Sequence, residues 1–340
     1  MEAKRQYYGL DVVKFILALL IAGRHMVQVF YAAESPWRLY INYWLSNLGV
    51  PVFFTAAGFL LFRKVAKPDG GGRTVARYCW RIFKLYVLWC VIYWPIDIYN
   101  WYHGTATVAE TVKFYIWSFF CSSTIAQLWY LPALIEACAI VWLCWRLFRR
   151  RILPVLAVTG ILFLMGCIGD NWYFTQFLPL RLQQLIYSYG QIFMTMRNGV
   201  FYGSFYVALG LFFAKKKWHL PFAVSAIGSI CFLYVMYREA RHCGNINMVV
   251  TAAPTAFLVV EAALQPDWKP RAIYTRLRAM SEWVYLSHFY FFYFFSWTAK
   301  DIPLPLTEFN IMWIIFVPML AFAYLMARLG ERYRWINRLI

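Results

Sequence analysis

The chain has 340 residues, of which 62% are hydrophobic, 21% aromatic and only 14% charged, with a mean hydropathy of +0.54. Soluble domains carry about 25% charged residues, so the composition excludes an ordinary soluble protein and predicts an all-α polytopic membrane protein. The formal net charge of +18 does not point to nucleic acid: the cations sit in short clusters between apolar runs, as topology signals do, and no helix-turn-helix, RNA-binding signature or continuous basic arm accompanies them.

The chain begins with "EAKRQYY" and an apolar run of about 21 residues. That run is longer than the roughly 7–15-residue core of a signal peptide, and no A-x-A site follows it, so it is expected to be an uncleaved first helix. At about twenty apolar residues per crossing, ten spans are predicted: 9–31, 43–62, 82–99, 126–145, 152–168, 199–214, 219–237, 248–265, 281–299 and 310–328. The intervals "SPWRLYINY" and 169–198 are too polar or irregular for spans. "TVKFYIWSFF" reads as an interfacial helix. With the N-terminus inside, most of the 33 Lys and Arg residues fall on the cytoplasmic side. Arg38, Lys113, Arg181, Arg197, Arg238, Arg241 and Lys300 fall outside. The bias predicts that both termini are cytoplasmic. "KPDGGGR" (67–73) reads as a flexible cytoplasmic loop, and residues 1–340 as a single integral-membrane domain.

The eight cysteines lie mostly in apolar runs, Cys90, Cys138, Cys144, Cys167 and Cys231 among them. Without a CxxC pair or His partners at zinc spacing they read as small buried hydrophobes, and no metal is expected. Cys121 and Cys243 fall in outside segments, with nothing in the sequence to pair them. Most of the 17 Trp read as interfacial belts and packing; outside aromatics such as "NWYF" (171–174) could instead stack on sugar rings.

The first span, "LDVVKFILALLIAGRHM", carries Lys14, Arg24 and His25, although each cation costs roughly 2.5–3.5 kcal/mol at mid-bilayer on insertion scales. At about 100° per residue, Lys14 and His25 share one stripe, roughly 16 Å apart along the axis. Asp11 lies near the same stripe one turn earlier. Such a line predicts a protein-lined cavity. The bland alternatives are a satisfied interhelical histidine and a lysine snorkelling to the interface. Asp11 and His25 are some 21 Å apart, which excludes a local charge relay, so any orienting partner of His25 must come from another helix. Arg24 points about 100° away from His25. It is expected to pair with a carboxylate or order a neighbouring helix, or else to stabilise charge on a reacting group. Arg197, opening "RNG" at an outside helix start, could hold a substrate or anchor the helix. His288 reads first as a structural hydrogen-bonder. Glu136 and Glu261 are intramembrane carboxylates expected to pair with basic residues.

The string "GLDVVKFILALLIAGRHM" resembles the first helix of the membrane-bound acyltransferase family 3, whose (Arg or Lys)-x10-His motif is matched by Lys14 and His25. "VPVFFTAAGFLL" (51–62), "RIFKLYVLW" (81–89), "LWYLPALI" (128–135), "RNGVFYGSFYVALG" (197–210) and "SEWVYLSHFYFF" (281–292) resemble further family segments in order. Two departures stand out. The family's Arg-x-x-Arg appears as Tyr78-x-x-Arg81, flanked by Arg77 and Lys84, and the usual serine of the second segment is Ala57. "DVVKF" and "KLYVLW" are especially similar to the membrane domains of vancomycin-resistance serine racemases, although no racemase domain is expected to follow.

The resemblance implies an acyl-CoA-dependent O-acyltransferase in a bacterial cytoplasmic membrane. It would move an acyl group, commonly acetyl, from cytoplasmic acyl-CoA to a hydroxyl of an extracytoplasmic glycan or lipid-linked acceptor. On that reading Lys14, Arg77, Arg81 and Lys84 bind CoA, whose phosphates suit cations at the inner surface. His25 is then the general base or the carrier of an acyl-imidazole. Arg24, Arg197 and His288 are auxiliary or acceptor-side residues. The rival class is a transporter of a glycan intermediate or a small amino acid, for which paired broken helices in an internal repeat would be expected; none is visible in the sequence.

Overall fold

The computed structural model describes residues 6–65, 71–244, 247–299 and 306–340, with the side chains of residues 45 and 46 excepted. Lys4, Arg5, Lys300 and positions 67–70 of the predicted loop lie outside the described residues. Among the described residues every regular element is helical, as the composition predicts for an all-α membrane protein. The helices are α1 (Tyr8–Phe30), α2 (Pro36–Tyr40), α3 (Ser46–Val65), α4 (Gly72–Tyr102), α5 (Val108–Cys121), α6 (Tyr130–Leu147) and α7 (Ile152–Gly169). They continue with α8 (Trp172–Thr175), α9 (Leu180–Phe193), α10 (Ser204–Lys215), α11 (Phe222–Cys243), α12 (Ala252–Leu264), α13 (Ala272–Thr298) and α14 (Glu308–Arg332).

Each of the ten predicted intervals falls on a helix. By length and composition, seven helical runs among the described residues can cross a membrane: α1, Pro36–Val65, α4, Val108–Leu147, α7, α11 and α14. Gly199–Lys215 and α12 are apolar but shorter. The first half of α13 carries Arg276, Arg278 and Glu282, which lowers its hydropathy although it is 27 residues long. The interval 169–198, too irregular for a span in sequence, forms α8 and α9, and no residue of α9 is buried. "TVKFYIWSFF" lies within α5, whose start is fixed by a capping box between Thr107 and Glu110. All eight cysteines are free thiols, Cys138 and Cys167 buried and Cys231 exposed.

The core is set by close helix contacts. Between α3 and α10, glycines replace side chains: a Cβ on Gly58 would lie 2.5 Å from the Val207 carbonyl, and one on Gly210 would lie 2.4 Å from the Thr55 carbonyl. Small residues of this kind let membrane helices pack backbone to backbone, where no solvent drives association. On its other side α1 packs against α13, which in turn packs on α14. At the start of α1 Asp11 receives a two-pronged ion pair from Arg278, at 2.8 and 2.6 Å. That pairing explains why Asp11, near the Lys14–His25 stripe in sequence, takes no part in the cavity described next.

Candidate active site

One cavity of about 290 Å³ runs between α1, α3, α4, α13 and the chain around residues 126–134. Lys14, Ile21, Arg24 and His25 reach it from α1; Phe53, Ala56, Ala57, Leu60 and Lys64 from α3; and Tyr78, Arg81, Ile82 and Leu85 from α4. Gln127, Trp129 and Tyr130 close a fourth side, Glu282, Tyr285 and Leu286 a fifth, and Arg197 enters from the segment before α10. Five cationic side chains therefore share the wall with one carboxylate, Glu282.

Two ends can be distinguished. At the first, Lys14 Nζ stands 3.8 Å from Glu282 Oε1 and 6.0 Å from the Phe53 ring centre. The Arg81 guanidinium lies 5.9 Å from the Tyr78 ring centre. Tyr78, which stands where the resembling family has an arginine, thus supplies an aromatic face to the remaining cation. Ala57, in place of the family's serine, contributes only a methyl group to the wall.

At the second end His25 stacks on His288, ring centres 5.5 Å apart and planes 23° apart, with Phe289 at 5.2 Å. His288 Nδ1 lies 3.0 Å from the Val284 carbonyl. A carbonyl only accepts, so Nδ1 carries the hydrogen and Nε2 keeps a lone pair. His288 is fully buried and does not line the cavity; it backs His25 and fixes the plane of its ring.

Beside this pair, Arg24 Nη2 and Arg197 Nη1 each donate at 2.7 Å to one atom, Asn247 Oδ1. The Arg197 guanidinium also lies 5.0 Å from the Trp129 ring centre. The local sequence "RNG" explains how Arg197 is aimed. Asn198 Oδ1 accepts the N–H groups of Val200 and Phe201 at 3.0 and 3.1 Å, capping a turn of π-helix over Gly199–Gly203. The Gly199 N–H is held by Glu136 Oε2 at 3.1 Å. A Cβ on Gly199 would come within 2.4 Å of the Ala133 carbonyl, so this contact needs glycine. Thr195 Oγ1 in turn accepts the Arg197 N–H and donates to Asp170 Oδ1.

Of the residues singled out in sequence, the structure brings Lys14, Arg24, His25, Arg81 and Arg197 to one cavity and sets His288 directly behind it. Arg77, Arg81 and Lys84 are all exposed, and of the three only Arg81 lines it; Arg77 Nε reaches back to its own helix, 3.3 Å from the Arg73 carbonyl. Arg24, expected to face away from His25, opens onto the same space. The cavity wraps around α1, and the long guanidinium arm spans the angle that separates adjacent residues on a helix. Glu261 pairs with Lys216 and His219, well apart from the cavity. Sequence reasoning passed over Gln127, Glu282, Lys64 and Asn247. The first two could have been found as lone polar residues inside strings otherwise apolar ("IAQLWYL", "SEWVYL"); Asn247 carries no such signal, because its role depends on two distant arginines.

Two curated relatives are each named amino-acid racemase and come from Enterococcus faecalis. One is 26% identical over 213 residues, covering 62% of this chain and 28% of its own length. The other is 24% identical over 301 residues, covering 84% of this chain and 41% of its own. The chain thus spans less than half the length of the curated relatives it matches. No solved structure matches it. The sequence model of acyltransferase family 3, described as an acyltransferase domain, matches residues 7–328, nearly all of the helical body and every wall of the cavity except Ile340: the chain belongs to this family of membrane acyltransferases.

Proposed function

We propose that the protein transfers an acyl group, acetyl in the simplest case, from cytoplasmic acyl-CoA to a hydroxyl of an extracytoplasmic glycan or other cell-envelope acceptor. It would do so as a multi-pass protein of a bacterial cytoplasmic membrane, with both termini inside. The observation that carries this reading is one cavity joining Lys14, Lys64 and Arg81 to the His25 imidazole three helical turns away. The cations suit phosphates of the donor, and the imidazole suits the hydroxyl of the acceptor.

In the step that follows, a His25 ring nitrogen takes the proton of the acceptor hydroxyl while its oxygen forms a bond to the thioester carbon. The carbonyl π pair moves to oxygen. The resulting oxyanion faces the Arg24–Arg197 pair, whose donors are already oriented by Asn247 and need no reorganisation. Collapse re-forms the carbonyl and breaks the C–S bond, and the departing sulfur takes the proton back from His25. The backing imidazole of His288 holds the base in plane throughout.

The test uses the purified chain in nanodiscs with radiolabelled acetyl-CoA. Consumption of the label, lost in His25→Ala, is the expected result. A protein that neither binds nor consumes acyl-CoA, yet moves a small amino acid or glycan precursor across vesicles, would replace this reading with the transporter.

A further inference from the structure

Gln127 is a polar side chain of the cavity wall that the chemistry above does not use. It sits on a single 3-10 turn, Ala126–Trp129, and is 1% exposed. Its amide oxygen accepts no hydrogen bond within the protein, and its amide nitrogen has one polar neighbour, the Tyr93 hydroxyl. The Tyr93 hydroxyl donates to the Leu286 carbonyl at 2.8 Å, so toward Gln127 it can only accept, which engages one N–H and leaves the amide oxygen and the second N–H over. Burying a primary amide with its oxygen and one N–H unmatched is costly. Most other buried polar atoms without a partner, those of Asn47, Tyr206 and Trp283 for example, lie away from the cavity. The turn itself is firmly held: Tyr285 Oη donates to the Gln127 carbonyl, and the Leu128 N–H bonds the Ile125 carbonyl at 2.9 Å. The side chain is therefore presented to the cavity by a fixed backbone.

Helix α13 gives its level between the two ends. Glu282 faces Lys14, Tyr285 grips Gln127, and His288 stacks on His25. Steps of three residues, each a rise of about 4.5 Å, carry the wall from the cationic end through Gln127 to the imidazole. A CoA thioester reaching from the first end to the second passes this amide with its pantetheine arm. That arm contains two secondary amides, each with one N–H and one carbonyl, the complement of the oxygen and the second N–H of Gln127.

We propose that Gln127 is a donor-binding residue that hydrogen-bonds the pantetheine amide nearest the thioester, so setting how far the acyl carbon advances toward His25. The assignment rests on the acyl-CoA reading above. Its test compares Gln127→Met, which keeps length and removes both hydrogen-bonding groups, and Gln127→Glu, which keeps the acceptor. Three donors are used: acetyl-CoA, S-acetyl-N-acetylcysteamine, and S-acetyl-2-mercaptoethanol, a short thioester with no amide. The Met variant should lose about tenfold in kcat/KM with the two amide-bearing donors, the scale of one or two hydrogen bonds. It should leave transfer from the amide-free donor unchanged, and the Glu variant should recover part of the loss.

Equal losses with all three donors, or no loss with any, would overturn the assignment while leaving the acyl-CoA reading intact. A wild-type protein that binds no CoA and uses no thioester would sink both. A misfolded variant would fail with the amide-free donor as well, which the unchanged rate excludes.

Discussion

Two polar clusters in this molecule, one buried around Glu261 and one lining the cavity, are built on opposite principles. Around Glu261, which is fully buried, all strong partners are present: Lys216 and the Leu220 N–H at 2.8 Å, with His219 Nδ1 at 3.1 Å. Lys216 is further enclosed by the rings of Phe213, Trp218 and Phe257. Around the cavity, five cationic side chains and one acidic side chain line the wall, two guanidiniums share a single amide oxygen, and the Gln127 amide oxygen and Arg197 Nε meet no protein partner. A cluster that completes itself holds helices together. One that stays incomplete, at a cost to stability, is what the proposed function requires of a site that receives a ligand.

This contrast can be broken most sharply at His25. His25→Ala should lower acyl transfer by about 10²–10⁴-fold, the usual contribution of a general base, while CoA affinity, measured by titration calorimetry in nanodiscs, stays near wild type. A parallel collapse of CoA affinity would move His25 to the donor site. The self-contained cluster should respond in the other currency. Glu261→Leu leaves a buried ammonium unpaired and should cost about 3–5 kcal/mol of stability, read as a fall in thermal unfolding temperature. Adding Lys216→Met should recover most of that loss. Recovery of less than half would mean that Glu261 does more than neutralise its lysine.

A smaller effect is expected from Asn247→Leu, which removes the shared acceptor of Arg24 and Arg197. Loosening the two guanidiniums without removing either should reduce transfer by about 10–100-fold, less than the roughly 10²–10³-fold of losing an oxyanion donor outright, with unfolding temperature little changed. A large drop in that temperature instead would class the arginine pair with the Glu261 cluster. The gentlest test separates cations on one helix: Arg81→Ala should weaken CoA binding by about tenfold, and the exposed Arg77→Ala by no more than about twofold. Equal effects would extend the donor site beyond the cavity wall.

The helices were legible because a bilayer demands about twenty apolar residues in a row, and each predicted interval coincides with a helix. The short apolar segments over Gly199–Lys215 and Ala252–Leu264, and the charged first half of α13, show where hydropathy alone blurs the number of crossings. Within α1 the eleven-residue spacing of Lys14 and His25 was enough to put both on one stripe, because the helix is regular there. The same angular argument misplaced Arg24, since it tracks Cβ directions and ignores the reach of a long side chain. On α4 it could not separate Arg81 from Arg77 and Lys84: the wheel says which face a residue takes, not how far along the axis a cavity extends. Asn247 and the level of Gln127 were illegible for a different reason. Each acquires its meaning from partners 50 or more residues away in the chain.

The glycine contact between α3 and α10 reaches further than packing. The wall that presents Phe53, Ala56, Ala57 and Leu60 is anchored from behind by main-chain atoms in direct touch, so it can neither slide nor lean without prising that seam apart. The width of the cavity is thereby governed from behind its wall, by two glycines that do not line it.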